Sequence, residues 1–252
     1  HISTGHRNTL LGYYAGEKIT TGESNGLFGA QAGENITGGH SNNAFGHSAL
    51  KDLTTASNNV AIGHSAGESI TTGQNNVIVG RNALKSNTIN TNIVAIGHQA
   101  LENTNNTSTS ETKLTAVGYQ AGQNTTTGSE NVYLGSYAAA YNTTGIRNVI
   151  IGHNAVKQRT YCNYTVGIGT SSLYRLTGGD GYNTVVGIFS MPFATNTIHS
   201  TALGYLSGGD VTTGINNTFL GSQSGHSGTN NLTTGSNNTL IGYNAAASSA
   251  TV

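Results

Sequence analysis

The chain has 252 residues, including 36 glycines, one proline and no tryptophan, and its ten basic and ten acidic residues cancel. This composition differs both from an ordinary globular domain and from a disordered segment, which is typically rich in charge or proline and poor in β-branched residues. The cancelled charge leaves no electrostatic footprint for nucleic acid, and no stretch has the roughly 20 apolar residues of a membrane-spanning helix. We therefore expect an ordered chain with no nucleic-acid partner and no membrane insertion.

A glycine preceded by a bulky apolar residue recurs about every 17 residues along the whole chain. These anchor glycines are Gly12, Gly29, Gly46, Gly63, Gly80, Gly97, Gly118, Gly135, Gly152, Gly169, Gly187, Gly204, Gly221 and Gly242. A short fixed period indicates a solenoid, in which each repeat forms one coil that buries its apolar side against its neighbours. We predict an all-β fold of about fourteen 17-residue coils. Because the pattern runs from end to end, we expect residues 1–252 to be a single β-roll repeat domain and a fragment of a longer chain.

The first predicted element of each coil is a short strand that ends just before the anchor glycine, as in Val60-Ala61-Ile62. Positions are counted here from the anchor glycine. Position −3 is usually Val or Thr and position −1 is always large and apolar, so we predict that both face the core of the coil. Position −2 is mostly apolar as well, and strands that are apolar on both faces are buried on both faces. The chain offers no helix or second layer, so we expect identical partner chains around the long axis.

The turns of the coil follow the strand in a fixed order. Position −4 is Asn in ten repeats, and its amide is expected to satisfy backbone groups at a corner. Position +3 is Ala or Ser with few exceptions, which predicts a narrow coil with closely approaching backbones. A Thr-Thr-Gly turn then returns the chain, for example at residues 71–73, and we expect its glycine to have a positive φ.

The strand motifs resemble known repeats. The runs Asn59-Val60-Ala61-Ile62-Gly63 and Val94-Ala95-Ile96-Gly97 are similar to head repeats of trimeric autotransporter adhesins, which form a left-handed parallel β-roll trimer. The longer form Asn238-Thr239-Leu240-Ile241-Gly242-Tyr243 is more similar to repeats in phage tail-fibre proteins, and residues 244–252 resemble the segment before the self-cleaving chaperone domain of some fibres. The 17-residue coil with its Thr-Thr-Gly turn departs from the adhesin pattern. The resemblance implies a left-handed homotrimeric β-roll with flanking fibre domains.

A polar and aromatic column follows the anchor glycine at position +1, where it includes His47, His64, His98 and Tyr119. Stacked imidazoles are able to bind a transition metal, and the same column is able to stack against sugar rings. A plain polar edge produced by repetition is the third interpretation. We predict no metal site and treat these four residues as candidate binding residues.

Irregular segments of a solenoid often contain the function. They lie near residues 102–114, 188–199 and 222–235, and the second contains the only proline and the only methionine, at Met191-Pro192-Phe193. Because proline cannot donate to a ladder, we expect the coil to bulge there. The three residues are candidate receptor contacts, and the alternative is that they fill the core or a gap between chains.

Charged residues at position +5 alternate in sign for most of the first six coils, which favours a surface ladder over paired catalytic carboxylates. We predict a non-enzymatic protein without cofactor or catalytic residues. We expect it to be a structural and host-recognition segment of a phage tail fibre or similar virion appendage. In that role it would form a rigid trimeric rod that contacts a cell-surface glycan or protein receptor. A bacterial trimeric surface adhesin head, extracellular or at the cell surface, and an ice-binding solenoid are the alternatives.

Overall fold

A computed structural model describes residues 4–107, 111–178, 181–226, 228 and 232–248. These residues form fourteen strands of three residues each and contain no helix. The chain divides into two compact units, His1–Ser129 and Glu130–Val252. The predicted all-β solenoid, with one short parallel strand in each repeat, is confirmed.

Each unit contains seven strands in chain order. The first unit contains β1 (Thr9–Leu11), β2 (Gly26–Phe28), β3 (Asn43–Phe45), β4 (Val60–Ile62), β5 (Val77–Val79), β6 (Val94–Ile96) and β7 (Thr115–Val117). The second contains β8 (Val132–Leu134), β9 (Val149–Ile151), β10 (Val166–Ile168), β11 (Thr184–Val186), β12 (Thr201–Leu203), β13 (Thr218–Leu220) and β14 (Thr239–Ile241). Within each unit successive strands pair in parallel at the same repeat position, as in Ala61 with Ile78. Equivalent side chains therefore form columns.

The strand faces the core with position −2, and not with positions −1 and −3 as predicted. Position −2 lies in the core, where Ala61 and Ile78 are fully buried, whereas Ile62 at position −1 is 43% exposed. The interior is narrow and accepts alanine in many coils at position −2, but a column that is large in every coil does not fit inside it. The bulky residues before the anchor glycines therefore lie on the outer face.

The asparagines at position −4 form a buried ladder that closes one corner, as predicted. Asn59 donates through Nδ2 to the Gly73 carbonyl at 3.0 Å and to Asn42 Oδ1 at 3.2 Å. The same Asn42 oxygen accepts the Asn59 backbone N–H at 3.1 Å. Each amide therefore satisfies backbone groups that burial at a corner would otherwise leave without partners.

The positive φ angle lies at the anchor glycine and not, as predicted, at the glycine of the Thr-Thr-Gly turn. The anchor glycine has the positive φ, +133° at Gly63, and a Cβ there would lie 2.7 Å from the Gly80 carbonyl carbon. Gly73, in the Thr-Thr-Gly turn, has no positive φ, which corrects the prediction. A Cβ at Gly73 would instead lie 2.4 Å from the Asn90 carbonyl oxygen, so close approach between coils requires glycine there.

The irregular segments differ in how much of them the structure describes. Residues 108–110 of the segment 102–114, residues 227 and 229–231 of the segment 222–235, and residues 249–252 of the closing segment lie outside the described residues.

The segment 188–199 keeps the hydrogen-bond ladder, because Arg175 N–H donates to the Pro192 carbonyl and Met191 N–H donates to the Ser207 carbonyl. The predicted bulge at Pro192 is therefore wrong. At this position in other coils the N–H makes only a long local bond, 3.3 Å from Glu34 to Gln31, so proline removes no bond between coils.

Candidate functional site

The outer strand face of each unit presents a column of large apolar side chains, called here the outer apolar column. In the first unit it consists of Leu11, Phe28, Phe45, Ile62, Val79, Ile96 and Val117. In the second unit it consists of Leu134, Ile151, Ile168, Val186, Leu203, Leu220 and Ile241. None of them is buried, and Leu134 is 44% exposed. Position −1 is apolar in all fourteen strands and position −3 is uncharged, so each unit exposes an apolar column beside an uncharged one, the kind of surface that marks an interaction site.

The candidate residues Met191, Pro192 and Phe193 divide between the interior and the surface. Met191 is fully buried, and its side chain lies beside Gly208 and Phe219. Met191 therefore fills the core and offers no surface contact. The sequence contains a signal for this, because position +4 is a buried leucine in other coils, including Leu50 and Leu84.

Phe193 is 45% exposed and, with Pro192, borders a pocket of about 250 Å³ on the surface of the second unit. Its lining residues are Ser171, Tyr174, Arg175, Phe189, Pro192, Phe193 and Leu206. The Arg175 guanidinium carbon lies 5.3 Å from the centroid of the Phe193 ring, a cation–π contact. This pocket combines aromatic surface with one cation, and sequence reasoning identified only its Pro192 and Phe193.

The position +1 column forms stacked pairs in the first unit. The rings of His47 and His64 are 5.1 Å apart and those of His98 and Tyr119 are 5.4 Å apart. Ser48 Oγ lies 2.9 Å from His47 Nδ1 and Ser65 Oγ lies 3.0 Å from His64 Nδ1, so these ring nitrogens have partners. Each stacked ring covers one face of its neighbour, which reduces the surface on which a sugar could stack.

A second row of stacked side chains, at position −5 of the second unit, was not identified from the sequence. It runs through Glu130, Arg147, Tyr164, Tyr182 and His199. Arg147 Nε lies 3.0 Å from the Glu130 carboxylate and its Nη1 donates to the Tyr164 hydroxyl at 3.1 Å. The hydrogen bonds that Arg147 donates, first to Glu130 and then to Tyr164, raise the pKa of Arg147. The available signal was their shared position, five residues before successive anchor glycines.

Two polar pairs join neighbouring coils. His226 Nδ1 contacts the Asp210 carboxylate, which pairs position +5 of one coil with position +6 of the coil before it. Lys85 Nζ lies 3.7 Å from Glu68, and among the described residues this is the one pair of the predicted charge ladder that comes within 4 Å. Within the part of the chain that the structure describes, no three histidine, cysteine or acidic side chains converge in a way that could bind a metal ion.

No protein family, curated protein or solved structure matches this chain. The described residues include no helix with the length and hydropathy needed to cross a membrane.

Proposed function

We propose that this chain is a structural and host-recognition segment of a phage tail fibre or similar virion appendage. In this proposal three identical chains form a left-handed parallel β-roll, and the assembly is a rigid, non-enzymatic rod that contacts a cell-surface glycan or protein receptor. The observation that supports the proposal is the outer apolar column of each unit, which lies on the solvent side of the single chain.

A second copy of the chain is the partner that fits this surface best. The column repeats once per coil, at the strand spacing of about 4.8 Å, and an identical chain repeats its own column at the same spacing. The outer strand face has no charge to select a charged partner. Rotational symmetry places the same face of each copy at a shared interface, so every coil meets its equivalent.

Assembly of three copies also suits host recognition. Three equivalent receptor contacts raise the effective concentration of each, so weak contacts with a repetitive surface glycan combine into strong attachment. The resemblance of the strand motifs to tail-fibre repeats supports a virion location. A bacterial trimeric adhesin head shares the same assembly, and the rest of the full-length chain distinguishes the two, because an adhesin continues into a membrane anchor.

The mass of the native particle in solution tests the assembly. Native mass spectrometry is expected to give three chains, and Ile62→Glu, which places a charge in the outer apolar column, is expected to lower the mass. Gln74→Glu is the matched control, because it adds the same charge at an exposed residue outside the strands. A wild-type mass of one chain would overturn the proposal.

Host recognition needs its own experiment. Fluorescently labelled trimer is expected to adsorb to intact cells of a bacterial panel, and unlabelled trimer is expected to compete with it. Adsorption to none of the bacteria, with a trimeric mass, would overturn host recognition and leave only the structural part of the proposal.

Ice binding is a second candidate because one threonine column lies on the outer strand face. Thr184, Thr201 and Thr239 are exposed at position −3 of β11, β12 and β14. In contrast, the threonines at position +8 use their hydroxyls internally, as Thr54 Oγ1 donates to the Thr71 carbonyl at 3.1 Å. Thermal hysteresis from a monomer, lost in Thr201→Tyr, would favour ice binding over the fibre proposal.

A further inference from the structure

We propose that the pocket beside Phe193 binds one acidic sugar residue, a pyranose ring that bears a carboxylate. This inference rests on the proposed host-recognition function and assigns part of it to a site within one chain. All seven lining residues belong to the second unit. None of them is a strand residue, so none belongs to the outer apolar column proposed to join copies of the chain.

The size of the pocket limits the ligand to about one ring. Its volume of about 250 Å³ lies below the roughly 300–1,000 Å³ of pockets for drug-sized ligands. Three successive coils build it from positions +2, +5 and +6. At positions +5 and +6 most other coils have charged or polar residues, such as Glu34 and Asn35 or Lys51 and Asp52. The tyrosine, proline and phenylalanine found here at these positions therefore make a local departure from the repeat.

Arg175 supplies the charge that selects an acid. Its guanidinium is exposed and its contact with the Phe193 ring helps to orient it. Among the described residues no carboxylate lies within 4 Å of it, whereas Arg147 is paired with Glu130. Asp180, the nearest acidic residue in the sequence, lies outside the described residues. A planar guanidinium binds a carboxylate with two parallel hydrogen bonds, so a carboxylated ligand matches this cation in charge and geometry.

The remaining lining suits the body of a sugar. Phe193 and Phe189 expose apolar ring surface, which packs against the C–H face of a pyranose. The Tyr174 and Ser171 hydroxyls line the same pocket and are able to donate to or accept from sugar hydroxyls. The combination of a ring surface, hydroxyls and one cation describes a sugar acid better than a neutral sugar or a simple anion.

Binding of two matched probes to the full chain tests the inference. Saturation-transfer NMR and calorimetry compare D-glucuronate with D-glucose, which differs from it only in a hydroxymethyl group in place of the carboxylate. We expect glucuronate to bind at least roughly tenfold more tightly, since a charge-assisted pair adds about that factor. Arg175→Gln is expected to remove this preference, and Phe193→Ala is expected to weaken both sugars. Arg147→Gln is the matched control, because it removes an exposed arginine of the same unit outside the pocket.

Four binding results would each overturn the inference, as would the adsorption result given below. The four are equal binding of the two sugars, no binding of glucuronate at millimolar concentration, an equal effect of Arg147→Gln and Arg175→Gln, and displacement of glucuronate by lower concentrations of N-acetylphenylalanine amide. The last result would point to a side chain of a protein receptor. A trimer that adsorbs to cells regardless of Arg175→Gln would overturn this inference alone. A monomeric mass would overturn the assembly, and the pocket measurement would still be interpretable because one chain provides the whole lining.

Discussion

Position +7 lies in the core of the first twelve coils, where its residues are fully buried, but its chemistry differs between two regions. In the first unit its fully buried residues are Ile19, Ile36, Leu53, Ile70, Asn87, Thr104 and Thr125. The first four coils are therefore filled by apolar side chains and the next three by polar ones. The second unit has the opposite order, because Asn142 and Arg159 precede Leu176. Within each unit the strand pairing and the anchor glycines continue through apolar and polar coils alike, so the backbone of the coil does not depend on which side chains fill it.

The polar region is expected to be the less stable of the two. Asn87 Oδ1, Thr104 Oγ1, Thr125 Oγ1 and Asn142 Nδ2 are buried without a hydrogen-bond partner among the described residues. Each such atom costs about 1–3 kcal/mol relative to a satisfied or apolar one. The anchor glycines and the position −4 asparagines therefore specify the backbone of the coil, and the core side chains at position +7 adjust its stability. Four predictions test this division, from the largest effect to the smallest.

The anchor glycines should be equally necessary in both regions. Gly63→Ala and Gly97→Ala place a Cβ 2.7 Å from the Gly80 carbonyl and 2.3 Å from the Gly118 oxygen, at a φ of +133° and +132°. Each is expected to lower the free energy of unfolding by about 3 kcal/mol or more, measured by urea denaturation. Gly242→Ala is the control, since its φ is +120° but no atom of the described residues lies within 4 Å of the added Cβ, so it should cost only the backbone strain. Tolerance of Gly97→Ala would show that the frame is looser in the polar region.

A polar side chain placed at position +7 of the apolar region should lower the free energy of unfolding, as the polar side chains at this position do in the polar region. Ile36 is fully buried, so Ile36→Asn loses apolar burial and leaves an amide without partners. We expect a loss of about 3 kcal/mol in the free energy of unfolding. Ile188→Asn, at an exposed isoleucine, should change it by less than about 0.5 kcal/mol. Similar effects of the two substitutions would contradict the proposed role of position +7.

The sequence predicts the period, the strands and the corner, because glycine, asparagine and small residues recur wherever backbones approach closely. It does not predict the faces of the strand, since position −2 and position −1 are both apolar and alternation gives no decision between them. Sequence reasoning left open whether the candidate residues near Pro192 are exposed or fill the core; Phe193 is exposed, whereas Met191 is buried at a position where Leu50 had already indicated core. The pocket could not be predicted, because Arg175 and Phe193 are 18 residues apart and meet only through the coil.

The buried thiol of Cys162 should make the second unit sensitive to high pH. Burial raises the pKa of Cys162 from 9.0 to about 11, and the thiol donates to Asn148 Oδ1 at 3.1 Å. The unfolded chain ionises first, so stability is full below about pH 9 and falls as the pH rises towards about 11. The total loss is about 2–3 kcal/mol. Urea midpoints at pH 8 and pH 10 should differ more in the wild type than in Cys162→Ala; equal differences would contradict burial as the cause.

The smallest expected effect has opposite signs in the two regions. Thr104 is buried, and its hydroxyl has no hydrogen-bond partner in the part of the chain that the structure describes. Thr104→Val replaces that hydroxyl by a methyl group and should raise the free energy of unfolding by about 1 kcal/mol. Thr54, in the apolar region, donates its hydroxyl to the Thr71 carbonyl at 3.1 Å, so Thr54→Val should lower it by about 1 kcal/mol. The two variants make the same atomic change, and their difference in urea midpoint cancels any general effect of valine on strand or turn propensity. Stabilisation by Thr104→Val would show that the polar side chains in the core lower the stability of the polar region. Destabilisation by both variants would mean that the Thr104 hydroxyl has a hydrogen-bond partner in solution and that the two regions are equally stable.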